Sequence, residues 1–415
     1  MRKQKYDFST LCLYAGKPEN QRSHNVPIDM SVSYELRSAS DLKEGFSGQL
    51  PMYGRLGCNP TAEYAEKKIC ALETLDMDGG GAKSRLRADG LNAVAMAIQG
   101  AMKSDEHAIV IGPIYGGTYD QIKLFEEDDY QFTFLAAEDP ELIKNIKKSV
   151  RKNTKLILGE ITCNPTISLW DVPSVKALLK YFPKQKIILA VDSSFTSPYN
   201  FRPFEWGADV IIHSATKYLG GRGAFTSGFI LASKELLKNH SEFWQKVTKL
   251  ANIKGGTPGV IETWLLGIFM EDLHLRTPVS NKNAFCLAKF LERNKNVISV
   301  NYPGLKSHPQ HKLAKKLLVT PEGNNSFGGM LAFRIKGGLA RAEEFLYNLT
   351  KRTLIKHKAS LGYTKTICES PWLLSQGTMN EEHKKIFGIT PDLIRVSVGT
   401  ENYKYIKYAF EKGFR

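Results

Sequence analysis

The sequence predicts an α/β fold: a mostly parallel, doubly wound sheet with a smaller C-terminal α+β domain and an N-terminal arm. Three observations point there. Short apolar runs recur through the middle of the chain, amphipathic segments lie between several of them, and the pattern changes to long helical stretches beyond about residue 255. Runs that are apolar throughout, rather than alternating, suit strands covered by helices on both faces.

Residues 1–60 lack strong periodicity and read as an arm ending in the loop around Tyr53 and Arg55. From about Thr61 a helical pattern begins in AEYAEKKICALETL. A polar, glycine-rich break at Asp78–Arg87 separates it from a second helical stretch, LNAVAMAIQGAM. The strand-like runs are Ala108–Gly112, Leu156–Thr162, Ile187–Ser193, Val210–Ser214 and Gly228–Ala232. DPELIKNIKKSVRK and VPSVKALLKYF lie between them, giving the strand–helix–strand repeat of a parallel sheet. Residues 61–255 are therefore read as a large α/β domain. Residues 256–415 are read as the smaller one, helical from Gly255–Gly259 to about Leu291 and strand-like at GGMLAFRI and RVSVG.

Composition narrows the function classes. The chain has 415 residues, 42% of them hydrophobic and 24% charged, which is enough to bury a core and ordinary for a globular protein. Its formal charge of +15 is spread along the chain, and the denser basic runs, Lys144–Lys155 and Lys312–Lys316, read as solvated helix faces. Attraction of small anions is the expectation, and nucleic-acid binding is not. Six cysteines without CxxC spacing suit free thiols in a reducing cytoplasm. Neither a signal peptide nor a membrane span is expected, because the basic N-terminus has no apolar segment behind it and no long apolar run follows. No metal site is expected: His308 and His311 read as a solvated pair at a helix start. GGGAKS at Gly79–Ser84 lacks the spacing of a phosphate-binding loop.

Chemistry concentrates at the ends of two apolar runs. In Val210–Gly221 a strand ends in Ser214, Thr216 and Lys217, followed by glycines. The hydroxyls can donate to a phosphate and the amine can condense with an aldehyde, a combination that suits pyridoxal 5'-phosphate (PLP). In Ile188–Pro198 the strand ends in Asp192, where ligands of open α/β sheets bind. A carboxylate there is either a loop cap or the group that keeps a pyridine nitrogen protonated.

These segments resemble the Cys/Met-metabolism PLP family of cystathionine γ-synthases, γ-lyases and O-acylhomoserine sulfhydrylases, and the resemblance covers nearly the whole chain. SATKYLGG around Lys217 is similar to the family's cofactor-lysine signature, and VDSSFTSP, with Asp192 and Ser194, to the stretch that carries the pyridine-pairing aspartate. YGGT at Tyr115–Thr118 resembles the segment whose tyrosine stacks on the cofactor ring. GEITCNPT places Glu160 and Asn164 beside that ring. ASLG and RVSVGTE resemble the segments that give a serine beside the lysine, Ser360, and the carboxylate-binding arginine, Arg395. Asp89-Gly90-Leu91 stands at the family's phosphate-binding SGM, so Gly90 and Leu91 keep their N–H groups while the serine has become acidic. Tyr53 and Arg55 resemble residues that reach a neighbouring subunit's phosphate, although the loop has one extra residue before Asn59.

The resemblance implies PLP fold type I, a homodimer or homotetramer with cross-subunit sites, and a small amino-acid substrate. It implies γ-elimination or γ-replacement on a homoserine ester or sulfur amino acid, with Lys217 as Schiff-base lysine and proton carrier, Tyr115 as acid and Arg395 on the α-carboxylate. A PLP-dependent β-lyase or aminotransferase is the alternative, and a non-enzymatic anion-binding protein a more distant one. Arg222 replaces a histidine after the glycines, and Lys365 replaces a glutamate that can meet a distal ammonium. A lysine facing the ligand would favour an anionic distal group; one pointing to solvent would do nothing.

Overall fold

The computed structural model describes residues 6–18, 22–47, 50–56 and 59–415. Gly57 and Cys58 of the Tyr53–Asn59 loop, and the basic residues at positions 2, 3 and 5, lie outside those ranges. The chain forms two compact units, each made of two segments: Met1–Met102 with Arg202–His274, and Lys103–Phe201 with Leu275–Arg415.

In the first unit the stretch read as an unpatterned arm contains two helices, Phe8–Tyr14 and Ala39–Ser47. The first is fixed by Asp7, which accepts a bond from the Thr10 N–H, and by burial of Phe8, Leu11 and Cys12. Helix Pro60–Thr74 starts where its sequence says it should: Asn59 caps the Thr61 and Ala62 N–H groups, and Pro60 needs no partner in the first turn. The glycine-rich break holds a strand that its polar sequence concealed, β1 (Lys83–Arg87). Ser84, Leu86 and Arg87 are its buried positions. Helix Gly90–Ala101 follows, capped by Asp89.

The second unit has four of the fold's parallel strands. They are β2 (His107–Gly112), β3 (Gln131–Ala136), β4 (Thr154–Glu160) and β5 (Ile188–Asp192), ordered β5-β4-β2-β3. Three were expected; β3 was missed because its outer place leaves every residue half-buried, with no continuous apolar run. The first unit continues in sequence with β6 (Val210–Ser214) and β7 (Gly228–Ala232), and β7 runs antiparallel to both β1 and β6.

Beyond helices Val260–Glu271 and Leu273–Glu292, the second unit adds a five-stranded sheet: β8 (Val297–Asn301), β9 (Met330–Ile335), β10 (Lys356–His357), β11 (Ile367–Glu369) and β12 (Leu393–Ser397). Its order is β10-β11-β12-β9-β8. Helices Gly338–Arg352 and Tyr403–Gly413 pack on it around Phe333, Phe345 and Phe410. The architecture is thus α/β, with mostly parallel strands and a separate smaller C-terminal sheet.

The histidine pair is not solvated. His308 is buried, and its Nδ1 accepts from the Gln310 N–H at 3.1 Å, while His311 Nδ1 bonds the Pro303 carbonyl at 2.8 Å. The tight turn before helix His311–Leu317 buries His308 and leaves His311 half-buried.

Candidate active site

In the first unit the residues of interest gather where β6 ends and helix Gly90–Ala101 begins. A Cβ on Gly90 would lie 2.7 Å from Ser214 Cβ, so glycine alone lets the helix start this close to the strand end. The first N–H groups of a helix have no partner within it and carry the positive end of its dipole. Asp89 takes the Asn92 N–H at 2.7 Å. Thr216 is locked to Ser227: its N–H and hydroxyl donate to the Ser227 carbonyl, and the Ser227 N–H donates back to Oγ1 at 2.9 Å. The Lys217 N–H bonds the Ser214 carbonyl at 3.0 Å, and the Lys217 carbonyl accepts from Gly221 at 2.7 Å, turning the chain sharply after the strand.

Elsewhere in this unit, Tyr53 is partly exposed and its ring lies 5.8 Å from the Arg55 guanidinium, which donates to the Asn252 carbonyl. Arg222, which stands where the family has a histidine, is paired with Asp272, so its positive charge is matched by a carboxylate.

The second unit holds the rest. β4 and β5 end side by side with Glu160 opposite Asp192. Glu160 is buried and uses both oxygens as backbone acceptors, from Tyr115 at 2.6 Å and Asn164 at 3.0 Å. Burial pushes its carboxyl well above the usual carboxylate range and the charge of Asp192 pushes the same way, against those N–H bonds and Arg395. Asp192 turns one oxygen to the Ser194 N–H at 2.8 Å.

Arg395, on β12, is buried. One terminal nitrogen donates to Asn164 Oδ1 at 2.8 Å; the other donates to the Ser360 carbonyl at 3.0 Å and lies 3.1 Å from Glu369 Oε2. Its Nε is buried with no hydrogen-bond partner. A guanidinium braced in this way, with Nε still unspent, is a cation ready for a carboxylate. Ser360 has a φ of +85°, a conformation a side chain adopts only under constraint, and its hydroxyl accepts from Tyr363 at 2.7 Å.

Tyr115 precedes helix Gly116–Glu127 and is 43% exposed. Burial of the rest of the ring raises its hydroxyl pKa, and the charge of Glu369 adds to this. A Cβ on Gly117 would lie 2.6 Å from that ring and one on Gly116 would meet the Ser375 carbonyl, so both glycines are needed. Lys365 is exposed and stands outside this hydrogen-bonded cluster.

The structure therefore gathers Tyr115, Glu160, Asn164, Ser360 and Arg395 in one network, and Gly90, Ser214 and Thr216 in another. Sequence reasoning missed Glu369, which lies opposite Arg395 in the β11–β12 register, and Phe195, whose ring centroid is 5.9 Å from the Arg395 guanidinium. A lone glutamate at the end of the apolar β11 was the only available signal.

These residues fit PLP. A glycine-opened helix start flanked by hydroxyls suits its phosphate, a strand-end carboxylate its ring nitrogen, and an amine its aldehyde.

Residues 9–415 match the profile described as Cys/Met metabolism PLP-dependent enzyme. The chain is 31% identical to cystathionine gamma-lyase of Saccharomyces cerevisiae, covering 95% of this chain and 94% of the other. It is also 31% identical to O-succinylhomoserine sulfhydrylase of Pseudomonas aeruginosa, covering 98% and 94%. Among solved structures, metB from Corynebacterium glutamicum superposes with a TM-score of 0.86 at 28% identity, covering 99% and 98%. The chain belongs to the Cys/Met-metabolism family of PLP-dependent enzymes.

Proposed function

We propose that this enzyme carries out γ-elimination or γ-replacement on a homoserine ester or a sulfur amino acid, with Lys217, Tyr115 and Asp192 as its catalytic residues. The observation that carries the reading is Arg395, a buried guanidinium braced by Asn164, Ser360 and Glu369 with its Nε unspent. Relatives that share this length of sequence are named as cystathionine gamma-lyase, L-methionine gamma-lyase and O-succinylhomoserine sulfhydrylase.

When bound, PLP supplies a sink for the electron pair left at the substrate Cα. The Lys217 amine would take the Cα proton, release it towards the bound cofactor and, neutral again, take one from Cβ, which frees the γ-substituent. Asp192 holds the proton on the ring nitrogen. Tyr115, kept protonated by its surroundings, donates to the leaving group. Arg395 grips the α-carboxylate and so fixes which Cα bond is broken. Gly90, Leu91, Ser214 and Thr216 hold the phosphate, Glu160, Asn164 and Ser194 support the ring, Ser360 stands beside the lysine, and Lys365 borders the distal subsite.

Assembly is part of the reading. Tyr53 and Arg55 reach a partner subunit's phosphate, so the working enzyme is a dimer or tetramer. A reducing cytoplasm is the compartment that suits it, because the five described cysteines are free thiols; no helix among the described residues is long and apolar enough to cross a membrane.

The test is a substrate panel of cystathionine, methionine, O-acetylhomoserine and O-succinylhomoserine, each with and without cysteine or sulfide. Release of a keto acid, or a thioether product when thiol is present, is expected for at least one. Formation of keto acid only with an amino acceptor would mark an aminotransferase instead.

A further inference from the structure

Arg87 is among the largest fully buried side chains of the described residues, 2% exposed, yet among those residues no carboxylate makes an ion-pair contact with it. Its Nε donates to Asn92 Oδ1 at 2.7 Å and a terminal nitrogen donates to the Gly255 carbonyl, both neutral acceptors. A buried charge with no carboxylate in contact is costly, and an anion bound nearby offsets that cost. Burial and the nearby Arg85 lower its pKa to about 10 against the opposing charges of Glu66 and Asp89, so the group stays cationic at neutral pH.

The place of Arg87 suggests the anion. Asn92 lies in the first turn of helix Gly90–Ala101, and it takes the Arg87 guanidinium on its side chain while giving its N–H to Asp89. The cation and the acidic cap are thus tied to one residue beside the helix start. Asp89 stands where the family carries a serine. Its charge sits next to the N–H groups of Gly90 and Leu91, and there it opposes a dianion that would bind the same helix terminus.

We propose that Arg87 supplies the counter-charge that lets this helix start hold the PLP phosphate despite Asp89. The inference rests on the reading of Gly90 and Leu91 as the phosphate cradle. Asp89→Ser keeps a capping oxygen and removes the charge, and Arg87→Gln keeps polar contacts and removes the opposite one. The two substitutions therefore separate electrostatics from folding.

The experiment is rebinding of PLP and of pyridoxal, which lacks the phosphate, to the full-length enzyme stripped of cofactor, followed by absorbance. Arg87→Gln is expected to weaken PLP about tenfold, Asp89→Ser to tighten it severalfold, and the double variant to return near wild type, with pyridoxal unchanged throughout. Equal weakening of both probes by Arg87→Gln, or an unchanged PLP affinity, overturns the proposal. Gly90→Ala tests the underlying reading separately. If it leaves the preference for PLP over pyridoxal intact, the cradle is misplaced. If it erodes that preference and Arg87→Gln does not, only the role of Arg87 fails.

Discussion

Arg395 shows how a single side chain is made ready for a ligand. Asn164, Ser360 and Glu369 hold three sides of its guanidinium while Nε stays unspent. Lysine offers a point charge in place of that planar fork, so Arg395→Lys is expected to raise KM for an amino-acid substrate by roughly 10–100-fold, from the loss of a charge-assisted bidentate pair. Steady-state kinetics check this, and an unchanged KM would place the carboxylate elsewhere. Arg395 itself was legible because it sits in a distinctive segment, RVSVGTE. Its brace was not: Glu369 lies 26 positions away and is brought opposite only by the β11–β12 register. Arg222 was legible as a replacement for a histidine, but nothing local in sequence reveals Asp272, its partner.

Elements follow the same division. Strands β2, β4, β5, β6 and β7 were readable because each has a continuous apolar stretch, whereas β1 buries polar residues and β3 leaves every residue half-buried, so neither left such a trace. Polar residues also tie strands together. His107, at the start of β2, bonds Thr154 Oγ1 on β4 at 2.8 Å and Thr133 Oγ1 on β3 at 2.9 Å. Burial, and then Arg151, lowers its pKa from 6.5 to about 4. The folded state therefore binds fewer protons than the unfolded chain between those values. The stability contributed is present above about 6.5 and is lost as pH falls towards 4. In His107→Gln the decline of the thermal midpoint across this window is expected to flatten by up to one proton's worth, about 1.4 kcal/mol per pH unit. An unaltered slope would assign the acid sensitivity to other groups. In the C-terminal sheet, Phe333 packs edge-on against Phe345 at 5.7 Å and near Phe410 at 6.3 Å. Phe333→Ala is expected to cost about 3–5 kcal/mol in denaturant unfolding.

At the scale of the molecule, the proposed assembly makes a prediction that no isolated subunit could satisfy. If Arg55 serves a partner's cofactor, Arg55→Ala and Lys217→Ala subunits are each nearly inactive alone. A randomly reassorted equal mixture regains about a quarter of wild-type activity, because half of the dimers are hybrids with one intact site. No recovery on mixing would confine the site to one subunit. The central claim, that Lys217 carries the cofactor, is tested most directly by borohydride reduction of the loaded enzyme followed by peptide mapping. The reduced cofactor is predicted to be found on the peptide containing Lys217, and a label on any other lysine, or none, would contradict the account.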